Sequence, residues 1–89
     1  KKEELIKSIP AHNYVIYDLI FIETGSKFVT ASRDKTIKIW NSNDFKVAQR
    51  LDLKQGGHRH SVNSLAKIDE TFFASVGDDK KIIVWTKSN

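Results

Sequence analysis

Residues 12–40 and 58–85 are two versions of one segment. Laid over each other with one gap in a turn, they put Ile16 on Val62, Leu19 on Leu65, Ile22 on Ile68, Phe28 on Phe73, Asp34 on Asp79 and Ile37 on Ile82. Each closes on a short strand-like stretch with a final tryptophan, Thr36-Ile-Lys-Ile-Trp40 and Lys81-Ile-Ile-Val-Trp85. Self-similarity at a period of roughly 20–50 residues marks architectures whose unit cannot bury its own apolar face and must stack on a neighbour. The fold question is therefore what the unit is and what covers its ends.

Within each copy, stretches rich in β-branched and aromatic residues alternate with turn-forming residues, the pattern of closely spaced strands. The first copy reads as strands over residues 15–22, 28–32, 36–40 and 45–53, with turns at 23–27, 33–35 and 41–44. The second reads as strands over 61–68, 72–76 and 81–86, which makes only three. A candidate for the fourth stands at the other end of the chain. Leu5-Ile-Lys-Ser-Ile9 has the same place ahead of His12 that the strand of residues 45–53 has ahead of His58. An open edge strand invites pairing with another chain, so the leading segment is expected to finish a sheet in another molecule.

With 89 residues, 39% of them hydrophobic and 29% charged, the chain suits one small folded domain. No apolar run approaches the ~20 residues of a membrane span, and the expectation is a soluble protein without a membrane partner, with the cytoplasm the favoured compartment. The absence of cysteine removes disulfide and thiolate chemistry. Methionine is absent even from position 1, which leads us to expect a piece cut from a longer chain, a processed product or an engineered one. Fifteen Lys and Arg against eleven Asp and Glu give +4, spread along the chain without a dense run. That weighs against a nucleic-acid partner, because phosphate tracking needs clustered cations.

Ala11-His12 with Ser32-Arg-Asp-Lys-Thr-Ile-Lys-Ile-Trp40-Asn41, and Gly57-His58 with Val76-Gly-Asp-Asp-Lys-Lys-Ile-Ile-Val-Trp85-Thr86, resemble two consecutive units of the tryptophan-aspartate (WD) repeat β-propeller family. The spacings from His to Trp, 28 and 27 residues, fit that family. Ala11 stands where glycine is usual, and Asn41 and Thr86 replace the aspartate of the signature pair. The resemblance implies an all-β fold of two four-stranded antiparallel blades. Residues 1–11 would supply an outer strand to another blade, 12–56 would form blade one, and 57–89 blade two without its outer strand.

The resemblance also implies a four-residue hydrogen-bond network in each blade: His12, Thr30, Asp34 and Trp40, then His58, Ser75, Asp79 and Trp85. Chemistry supports it independently. An indole N–H only donates, a hydroxyl accepts it and donates onward to imidazole, and the second imidazole nitrogen donates to a carboxylate. This reading also absorbs the alternatives. His58, His60, Asp78 and Asp79 contain metal-ligand types, but a zinc site needs three or four convergent ligands, so no metal or other cofactor is expected. Ser75, His58 and Asp79 are the residue types of a hydrolase triad, yet the repeat doubles them as Thr30, His12 and Asp34, which suits a structural role and no catalysis. Thr24-Gly-Ser-Lys27 lacks the glycine spacing of a phosphate loop and reads as a hairpin turn.

In such a propeller Asn13, Tyr14, Arg33, Arg59, His60 and Asp78 share one rim. Loops on a rigid scaffold are common binding surfaces, and Tyr and Arg are frequent interface anchors. The function implied by the resemblance is a non-catalytic scaffold for protein or peptide partners. The alternatives are a basic nucleic-acid-binding surface through Arg33 and Arg59, or a fragment with no function of its own. Propellers close with about 4–8 blades, so the remaining blades come from a parent chain or from copies in a cyclic homo-oligomer.

Overall fold

The computed structural model describes residues 2–87; residues 1, 88 and 89, the ends of the expected module, lie outside the described residues. Among the described residues seven strands form: β1 (Ile16–Ile22), β2 (Lys27–Ser32), β3 (Ile37–Asn41), β4 (Val47–Leu51), β5 (Val62–Lys67), β6 (Phe72–Gly77) and β7 (Ile82–Thr86). They make two antiparallel meanders, β1-β2-β3-β4 and β5-β6-β7. The two copies repeat even their irregularity. A bulge at Tyr17 interrupts the β1–β2 register, and one at the equivalent Asn63 interrupts β5–β6.

Cross-strand pairing decides which side chains share a face, because paired residues point the same way and their neighbours the other. Ile20, Val29 and Ile39 are paired in a row, as are Ala31, Ile37 and Leu51. These residues, with Ile22, pack against Val62, Leu65, Phe73 and Trp85 of the second sheet in one shared core. The opposite face of the first sheet carries a smaller cluster of Ala11, Phe28 and Trp40, with Ile9 packed against it. Phe28 and Trp40 stack at 5.7 Å and 3°, and their counterparts Phe73 and Trp85 lie 6.5 Å apart at 23°.

Two polar contacts fix how the sheets sit. The Asp18 carboxylate reaches across from β1 and accepts the Leu65 N–H of β5 at 2.7 Å and the Ser64 hydroxyl at 3.3 Å. At the far end of β1, Glu23 and Thr24 take left-handed backbone, φ +51° and +52°. Their N–H groups donate to the Glu70 carbonyl at 2.9 Å and the Glu70 carboxylate at 2.6 Å.

The fourth strand is shorter than the expected 45–53. Phe45 has φ +58° and its N–H closes a turn onto the Asn41 carbonyl, so pairing starts only at Val47. At the other end Asp52 caps a short 3-10 turn: its carboxylate accepts the Lys54 N–H and the Gln55 side chain accepts the Asp52 N–H. A local cap of this kind competes with the ladder and ends the strand. The leading segment is expected to pair in another molecule, a contact that a single chain does not contain; among the described residues 2–10 carry no strand, the β1–β4 sheet is complete without them, and β7 is paired with β6 alone.

Candidate functional site

The eight network residues fall into two relays of the same geometry. In the first, Trp40 Nε1–H donates to Thr30 Oγ1 at 2.9 Å, Thr30 Oγ1 lies 2.7 Å from His12 Nε2, and His12 Nδ1 lies 2.8 Å from Asp34 Oδ2. In the second, Trp85 Nε1–H donates to Ser75 Oγ at 2.9 Å, Ser75 Oγ is 2.8 Å from His58 Nε2, and His58 Nδ1 is 2.9 Å from Asp79 Oδ1. Because the indole can only donate, the hydroxyl must pass its own proton to Nε2, and the imidazole carries its proton on Nδ1 toward the carboxylate. Both histidine side chains are fully buried. Each relay ties the segment before its first strand, the second strand, the following turn and the third strand into one unit.

The two carboxylates are held by different donors. For Asp34, burial pushes the pKa up more than any other single influence, but hydrogen bonds from the Thr36 hydroxyl, His12 and the Thr36 N–H together hold the carboxyl below its ordinary value. For Asp79 burial is again the largest influence and acts upward. Hydrogen bonds from His58 and from the Arg59 and Lys81 N–H groups outweigh it and lower the group to about 2. Thr36 was not singled out in the sequence, and its signal is only that a hydroxyl follows Asp34 where Lys81 follows Asp79. Gly77 is another residue the pattern did not flag. A Cβ there would meet His58 Nδ1 and the Ser61 carbonyl at 2.7 Å each, so the second relay closes only over a glycine. Asp18, the carboxylate linking the sheets, shows in sequence only as a lone acid within an apolar run.

A linked set of contacts brings the exposed candidates to one end of both sheets. The Arg33 N–H donates to the Val15 carbonyl at 3.0 Å, the Ser61 hydroxyl reaches the Arg33 carbonyl at 3.4 Å, and the Asp78 N–H donates to the Ser61 carbonyl at 3.0 Å. Tyr14, Arg33, Arg59, His60 and Asp78 are all exposed. Asn63 donates to the Asp78 carboxylate, while among the described residues neither Arg33 nor Arg59 has an ion-pair partner. His60 is exposed on this end and His58 is committed to its relay, so the two histidines do not converge. Thr24-Gly-Ser-Lys27 lies at the opposite end, in the turn latched to Glu70.

Two meanders in one register, each closed by a Trp–hydroxyl–His–Asp relay, are the repeating unit of a known family. WD40, described as the WD domain, G-beta repeat, matches residues 3–41 and 50–86. The chain belongs to the WD40 repeat family. It is 29% identical over 85 residues to the WD repeat-containing protein 55 homolog of Drosophila willistoni, covering 96% of this chain and 16% of that protein. With the Denticleless protein homolog B of Xenopus laevis it shares 32% over 83 residues, covering 91% and 11%. The solved WD40 β-propeller domain of Doa1 superposes with a TM-score of 0.71 and 35% identity, over 85% of this chain and 24% of that one. The chain thus spans about a sixth or less of the length of these two curated relatives. WD40 propellers are generally non-catalytic and generally bind other proteins.

Proposed function

We propose that the chain is a two-blade part of a protein-interaction scaffold, and that its partner-binding surface is the rim formed by Tyr14, Arg33, Arg59, His60 and Asp78. The observation that carries this reading is the chain of contacts from Val15 through Arg33 and Ser61 to Asp78, which fixes loops from both blades at one end while the Arg33 and Arg59 guanidinium groups have no ion-pair partner among the described residues. Rigid loops on a sheet scaffold can bind without a large ordering cost. Tyr14 supplies an apolar anchor with a polar tip, and the arginines supply forked donors for a carboxylate. Two blades do not close a propeller, so the module works within a ring completed by further blades.

Selection from random peptides displayed on phage tests the rim. Peptides that bind should lose affinity on Tyr14→Ala and on Arg33→Glu, while the melting temperature stays within a degree or two. Binding indifferent to both substitutions sinks the assignment. Tight binding to a DNA oligonucleotide, weakening steeply with salt in place of peptide binding, would favour a nucleic-acid surface.

A further inference from the structure

A groove of about 470 Å³ opens where the two blades join, and it shares Arg59 with the rim. Its walls are the β2–β3 turn at residues 34–36, the end of β4 with the capped turn after it, and the start of the second copy at His58 and Arg59. Every lining residue lies within residues 34–59, between two blades that are both present.

Four cations and two carboxylates line this groove, a net of +2. The acids are already committed. Asp34 accepts from His12 Nδ1, the Thr36 N–H and the Thr36 hydroxyl. Asp52 accepts the Lys54 N–H with one oxygen and pairs with Arg50 at 3.2 Å through the other. Among the described residues, Lys35, Lys54 and Arg59 have no ion-pair partner, and all three are exposed. Leu53 lines the same groove and is 50% exposed. The free charge is therefore positive, and it comes with an uncovered apolar side chain.

The walls are also held in place before anything binds. The Gln55 and Gly57 N–H groups both donate to the Asp52 carbonyl, at 3.1 and 2.9 Å. A Cβ at Gly57 would stand 2.7 Å from that carbonyl oxygen, so the loop folds back this tightly only over a glycine. His58, next in the chain, is fixed by Ser75 and Asp79, and Asp34 on the other wall is fixed by the first relay. A preformed site loses little to ordering when it binds.

We propose that this groove docks an extended acidic segment of a partner protein, whose carboxylates pair with Lys35, Lys54 and Arg59 while an apolar side chain between them seats on Leu53. A nucleic-acid strand suits it less, because phosphate tracking needs an unbroken line of cations, and here Asp52 and Leu53 interrupt it. The inference rests on reading the chain as an interaction scaffold and names the chemistry of what it binds. Its residues other than Arg59 lie outside the rim set, so the two assignments answer to different substitutions.

Titration of the chain with the peptide Glu-Glu-Leu-Glu-Glu, followed by amide chemical shifts, tests it. The shifts should centre on Leu53, Lys54 and Arg59, and Gln-Gln-Leu-Gln-Gln should leave them unmoved. Lys35→Gly removes a charge while relieving a left-handed backbone, φ +75°, so a loss of binding there does not come from a loss of fold. It should raise Kd about 2–5-fold, and Lys54→Glu about tenfold. Lys46→Gln removes a charge outside the groove and should change nothing. Equal shifts with the two peptides, or a Kd that neither Lys35→Gly nor Lys54→Glu moves, overturns the proposal; so does an oligothymidylate that displaces the acidic peptide at equal charge. Binding that answers to Tyr14→Ala and Arg33→Glu but to neither lysine overturns the groove and leaves the rim standing. The reverse pattern supports the groove and removes the rim.

Discussion

Thr30 and Ser75 are small residues with more depending on them than on the aromatics they hold. Each hydroxyl accepts from an indole and donates to an imidazole, so its loss removes the partner of two groups at once, and Trp40 Nε1 and His58 Nε2 are buried where water does not replace it. Thr30→Val keeps the shape and removes both bonds. It should cost about 1–3 kcal/mol, more than the ~1 kcal/mol of an average hydrogen bond, and urea denaturation reads the difference. The carboxylates at the other end of the relays add a pH signature. Asp79 is lowered to about 2 and Asp34 is lowered as well, so the unfolded chain takes up these protons first as pH falls. Stability from the ionised forms is full above about pH 4 and is lost toward pH 2. Asp79→Asn should flatten the fall in urea midpoint between about pH 5 and about pH 2.5; a slope equal to wild type would show that Asp79 does not carry it. The relay partners were legible through the resemblance to the WD-repeat family, and donor and acceptor chemistry agreed with the chain it implied. Thr36 and Gly77 were not, since their roles depend on distances that spacing does not encode.

Strands were legible from β-branched and aromatic runs, and their ends less so, because ends are decided by single residues in turns. Phe45 and Asp52 shorten β4 at both ends for this reason, through a left-handed backbone and a cap. The paired bulges at Tyr17 and Asn63 left no mark in the alternation pattern. The turns before β3 and β7 make a sharper case: both place a lysine in left-handed backbone, Lys35 at φ +75° and Lys80 at +65°, with N–H groups donating to the Ser32 and Gly77 carbonyls. A Cβ costs roughly 1–2 kcal/mol there, partly offset by the extra freedom glycine has when unfolded. Lys80→Gly should therefore raise stability by about 0.5–1 kcal/mol, and Lys80→Val should lower it. Thermal melts in the order Gly, Lys, Val, highest first, bear this out; any other order means the turn is not strained.

Across the whole molecule, the question is whether two blades behave as one cooperative unit or as beads. In stacked repeats, stability divides into intrinsic terms and neighbour interfaces. Here the interface term is large relative to either sheet. Leu65 and Phe73 are buried only because the first sheet covers them, and unfolding the second sheet would expose Ile22, Val29 and Ile37 as well as orphaning Asp18. A three-stranded sheet has only the minimum number of strands for independent stability and depends on its hydrophobic face being covered. One transition is expected, and the two tryptophans make the test direct because each sits in a different blade. In Trp85→Phe the fluorescence of Trp40 reports the first blade, in Trp40→Phe that of Trp85 reports the second, and circular dichroism reports all strands in both. Each variant will be weaker than wild type, having lost an indole donor, but within each variant the two probes should share one urea midpoint. If Trp85 fluorescence changed at lower urea than the strand signal in the same molecule, the second blade would be detaching on its own, and the shared core would be a contact between two separable units.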